Sequence, residues 1–107
     1  MKPFKFSLKT VLEVRSNEEQ QASDAYAQAR GALETAQLHW RALNEAVDAH
    51  LFACRGAFDG QAQSGDLAQL QGSLRSLRAQ LAELEPELLR LQGVMDEKWQ
   101  LLLKARQ

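Results

Sequence analysis

The sequence predicts an all-α protein, a long antiparallel two-helix coiled-coil hairpin with its turn near residues 56–65 and a kink near Pro86. Two periodic patterns and one interruption carry this expectation. In the second half Leu67, Leu70, Leu74, Leu77, Leu81, Leu84, Leu88 and Leu91 recur at alternating steps of three and four, followed by Met95, Lys98 and Leu102. Such spacing puts these side chains on one narrow stripe of a helix, and a sustained 3.5-residue repeat calls for a partner helix wound around it. The first half repeats the pattern more weakly, through Leu8, Leu12, Arg15, Glu19, Ala22, Tyr26, Ala29, Leu33, Ala36, Trp40, Leu43, Val47, His50 and Cys54. Between the halves stand Gly56, Asp59, Gly60, Ser64, Gly65 and Asp66, a concentration of turn formers that does not favour a continuous helix.

Residues 1–107 are therefore expected to form one helical hairpin. Helix 1 runs over about 7–55, with Ser7 as its candidate N-cap. Its stripe is rich in alanine from 22 to 36, which admits a close partner backbone or the large side chains Met95 and Trp99. Helix 2 runs over about 66–107, opened by Asp66 as N-cap with Gln69 as the reciprocal capping-box residue. A turn centred on Gly60 sets Trp40 against the Leu81 region and Ala22 against Trp99 or Leu102. The second arm should be roughly 63 Å long at about 1.5 Å per residue. Pro86 falls inside helix 2 on its outward face, where the missing N–H and the clash with the Ala82 carbonyl cost about 3 kcal/mol. Gly72 and Gly93 each weaken the same helix by about 1 kcal/mol relative to alanine.

Composition excludes several classes of function. The 107 residues are 45% hydrophobic and 25% charged with a net charge of -1, so the chain as a whole has no electrostatic reason to bind nucleic acid or an anionic membrane. One cysteine forms no intramolecular disulfide, which fits a reducing compartment. No apolar run approaches the ~20 residues that span a bilayer, and Lys9, Glu13 and Arg15 interrupt the place where a signal peptide keeps its apolar region. Charge is nevertheless uneven. Residues 1–15 carry +3, residues 98–107 another +3, and the intervening chain -7. A hairpin brings both basic ends together, giving a basic tip with Phe4 and Phe6 and an acidic body.

Catalytic and cofactor chemistry find little footing. There are two histidines, one cysteine and no phosphate-cradling loop of the form GxxxxGK[ST] or GxGxxG. His50 and Cys54, four apart, supply two ligands where a tetrahedral metal site needs four. Trp40 and Trp99 lie on or beside the stripe and read as packing residues rather than a stacking platform for bases. The expectation is a non-enzymatic chain without cofactor or metal. Off the stripe, Val11, Phe52, Phe58, Leu89, Leu101 and Leu103 are candidates to meet a partner.

The string Phe4-x-Phe6-x-Leu8-x-x-Val11-Leu12-x-x-Arg15, followed by Glu18-Glu19 and Ala22, resembles the opening of the flagellar export protein FliJ family. More loosely it is similar to the related stalk protein of injectisome type III secretion. The resemblance implies a stalk-like adaptor of flagellar protein export, similar in shape to the central stalk of rotary ATPases, cytoplasmic and peripheral to the inner membrane. It implies as partners the hexameric export ATPase, the cytoplasmic domain of the export gate and export chaperones, with no nucleic acid. Lys2, Phe4, Lys5, Phe6, Lys9, Arg15, Lys104 and Arg106 would form the ATPase-facing tip. His39, Leu43, His50, Leu70, Leu74 and Leu77 are the matching positions for the gate. Members of that family usually continue the second helix well past the position of Gln107, which implies that part of the tip lies beyond this chain. The alternative is a structural coiled-coil spacer or dimerisation module.

Overall fold

The computed structural model describes residues 8–60 and 64–107. Within them the chain is all-α, with two long helices, α1 (Leu8–Asp59) and α2 (Ser64–Arg106). The heptad stripes account for both. From Leu67 to Leu102 every residue of the α2 repeat is buried or half-buried, and most of the residues between them are exposed. On α1 the same holds from Ala22 to Cys54, apart from Trp40. A helix this long and this polar on its outer faces has no other way to remove apolar surface from water.

Chain contacts divide the protein into two compact units, the first formed by the chain up to Leu33 with Leu91–Gln107 and the second by Glu34–Arg90. In the first unit the start of α1 and the end of α2 run antiparallel. Tyr26 meets Trp99 with ring centroids 5.2 Å apart and planes tilted by 49°, and Glu19 meets Arg106 farther toward the chain ends. Ala29, Leu33 and Leu102 form its core, and Leu102, 2% exposed, is the most buried core side chain among the described residues. In the second unit the last part of α1 and the first part of α2 form the hairpin itself, with Leu43 and Leu74 buried.

Three features differ from the sequence expectation. Helix α1 continues past Gly56 to Asp59, because the Gly60 N–H still reaches the Gly56 carbonyl at 2.8 Å and closes a last helical turn. Added side-chain bulk is unwelcome there, since a Cβ on Gly60 would lie 3.0 Å from that carbonyl oxygen. Helix α2 begins at Ser64, so Asp66 stands inside its first turn rather than capping it, where a carboxylate still complements the helix N-terminus. The link is thus shorter and later than a turn centred on Gly60. The register shifts by about one helical turn, and Trp99 faces Tyr26 instead of Ala22. In agreement with the sequence, Pro86 sits inside α2 at an exposed position, with helix on both sides. The half-buried leucines flanking it, Leu81, Leu84 and Leu88, hold the helix together across the missing N–H. Ser7 lies outside the described residues.

Candidate functional site

In the first unit, the end that carries both chain ends is built from the opening turns of α1 and the last turns of α2. Of the eight tip residues suggested by the sequence, Lys2, Phe4, Lys5 and Phe6 lie outside the described residues. The other four are exposed there. The Arg15 guanidinium donates from Nη2 to the Gln107 carbonyl at 2.8 Å, satisfying an acceptor at the very end of α2. Arg106 places Nε 3.5 Å from Oε1 of Glu19, both side chains about half exposed. Such a pair is screened by solvent and positions the two helices more than it holds them. Lys104 lines a shallow groove with Glu97, Leu101 and Leu103. Lys9 stands free of any described partner on the first turns of α1.

On the opening turns of α1 Leu8 is 74% and Leu12 58% exposed, and Val11 and Val14 are exposed beside them. Sequence reasoning put Leu8 and Leu12 in the seam and missed them as surface. The same turns carry the exposed Lys9, Glu13 and Arg15.

The second group of sequence candidates falls in the second unit and separates by burial. Leu43 and Leu74 are core, Leu70 and Leu77 half-buried, and all four belong to the packed seam. His50 is half-buried, its Nδ1 2.8 Å from the Ala46 carbonyl in a contact within α1. Only His39 is exposed, at the rim of a groove with Gln80, Glu83, Leu84 and Glu87 from α2. His39 shares this groove with two acidic residues, and the leucines lie in the seam. Glu87 is itself engaged: Arg90 donates to both of its oxygens, from Nε at 3.0 Å and from Nη2. That hydrogen-bonded contact holds the Glu87 carboxyl below the usual carboxylate range and the Arg90 guanidinium above its own.

Among the described residues no group of three or more His, Cys, Asp or Glu is placed to hold a metal ion. Cys54 is a free thiol, half-buried in the seam. No described helix is long and apolar enough to cross a membrane.

Two long helices packed along leucine and alanine stripes, with apolar and charged patches on their outer surface, define a coiled-coil hairpin protein, a class that acts through the surfaces it presents. The model of one family, described as Flagellar FliJ protein, matches residues 4–107. The chain belongs to the FliJ family and is a stalk-like protein associated with flagellar export. Neither the curated proteins nor the solved structures gave a match.

Proposed function

We propose that this chain is a non-enzymatic stalk and adaptor of flagellar type III export, cytoplasmic and peripheral to the inner membrane. Its basic, apolar end engages the hexameric export ATPase. The observation that carries the reading is the exposed apolar stretch of α1, Leu8, Val11, Leu12 and Val14, on the same turns as Lys9 and Arg15. An exposed apolar stretch interspersed with cations suits a partner surface that is acidic at its rim and apolar within, as expected of the central hole of a protein ring. Differential contacts with ring subunits would bias assembly and turnover without the stalk itself binding nucleotide. The second unit, with His39 at its surface and Leu43, His50, Leu70, Leu74 and Leu77 supporting that surface from the seam, faces the export gate. Export chaperones are handled by the same rod.

The test is the ATPase rate of the cognate export ATPase with and without the chain, alongside a Phe4→Ala, Lys5→Glu, Lys9→Glu variant and a Leu8→Asp, Leu12→Asp variant. Stimulation or ring assembly that is lost in both variants, and that weakens with added salt in the wild type, supports the reading. No effect at concentrations well above micromolar refutes it.

A further inference from the structure

Helix α1 carries a second heptad pattern on the face turned away from α2. In the second unit Thr35, Leu38, Ala42, Glu45, Ala49 and Phe52 follow one another at alternating steps of three and four. All six are exposed, and Leu38 and Phe52, at 62% and 77%, are among the most exposed large apolar side chains described. They are offset by two residues from the seam positions Ala36, Trp40, Leu43, Val47 and His50, about 200° around the helix. A second stripe of this period is suited to a further helix.

The flanking charges say which helix. Immediately before Thr35, Ala42 and Ala49 stand Glu34, Arg41 and Asp48, and Arg55 follows at the same interval of seven, so the flank reads acidic, basic, acidic, basic. Laid antiparallel on a second copy of itself, this face sets Arg41 against Asp48 of the other copy and Glu34 against Arg55, each contact made twice by symmetry. The same register seats Leu38 on Ala49 and Phe52 on Thr35, large side chains over small ones. On the other flank it sets Ala32 against Ala53 and His39 against Ala46, with no charge opposing charge. A parallel arrangement opposes Arg41 to Ala46 and loses every one of these pairs. An alternating flank that complements itself only when reversed specifies an isologous antiparallel pair.

We propose that the outer face of α1 between Glu34 and Arg55 is a self-association surface, through which two copies pair antiparallel about a two-fold axis near Leu43. The inference is independent of export and leaves the basic end unused. The test is sedimentation velocity on the full chain from about 1 µM to about 1 mM, the range in which such a modest helical interface would be populated. The wild type should dimerise, more weakly at high salt. Arg41→Glu and Asp48→Arg should each raise the dissociation constant by about tenfold, because each replaces two attractive pairs with repulsive ones. The double variant R41E/D48R should dimerise like the wild type, and an equimolar mixture of the two single variants should form a heterodimer. Both substituted positions are exposed, and helix content by circular dichroism shows that the variants fold. A wild type that stays monomeric throughout the range, or a dimer indifferent to these charges, or single variants whose mixture does not pair, overturns the proposal.

Discussion

Leu102 and Leu8 occupy equivalent places in the sequence pattern and opposite places in the protein. Leu102 is enclosed at 2% exposure, so truncating it leaves a cavity as well as losing transfer energy. Leu102→Ala should lower the unfolding free energy by about 2–4 kcal/mol in urea titrations followed by circular dichroism. Leu8→Ala, at a side chain that is 74% exposed, should change it by less than about 0.5 kcal/mol. The heptad positions of both residues were legible in the sequence. That one of them is enclosed and the other exposed was not, because exposure depends on what packs opposite rather than on the period. Glu87 illustrates a second residue-scale property. Its carboxyl is held low by Arg90, so the folded state binds fewer protons there than the unfolded chain does. The stabilisation is fully present above the ordinary glutamate pKa of about 4.3 and is lost as pH falls through the lower folded value. Glu87→Gln should therefore melt below the wild type at pH 7, and the two melting temperatures should converge under more acidic conditions.

At the scale of the element, α2 holds three residues that disfavour a helix, Gly72, Pro86 and Gly93, and is helical through all of them. Its leucines overrule local propensity because tertiary burial acts on the whole stripe while each unfavourable residue acts once. None of the three sits where its identity is needed for packing: Pro86 is exposed, and a Cβ at Gly72 or Gly93 meets nothing within 4 Å. Pro86→Ala should then stabilise the protein by about 1–3 kcal/mol, and Gly72→Ala and Gly93→Ala by up to about 1 kcal/mol each, read as a rise in melting temperature. The same logic explains how α1 passes Gly56. The sequence marks that glycine as a turn residue, yet the Gly60 N–H has the Gly56 carbonyl within reach, and the helix runs until that bond is made.

At the scale of the whole molecule, each helix is the other's solvent shield. Among the described residues the core side chains all come from the two facing stripes. A peptide of residues 1–59 should accordingly lose most of its helicity and all cooperative melting by circular dichroism, since a long amphipathic helix without its partner keeps its stripe in water. Mixing it with a peptide of residues 64–107 should restore part of both. The family assignment agrees with such a design, since a stalk transmits contacts along packed helices and needs surfaces rather than a pocket.

The sequence by itself determined the helical class, the two elements, and the inward stripe from Leu67 to Leu102 on α2 and over most of Ala22 to Cys54 on α1, because a 3.5-residue apolar repeat lines up on one side of a helix. Its opening string and overall layout also pointed to the family. The tertiary structure decided the register, the pairing of Tyr26 with Trp99, and the exposure of Leu8 and Leu12 beside the cations of the open end. These follow from where the chain reverses and from what packs opposite each residue. A displacement of a few residues at the link carries through every pairing that comes after it, and no local pattern records it.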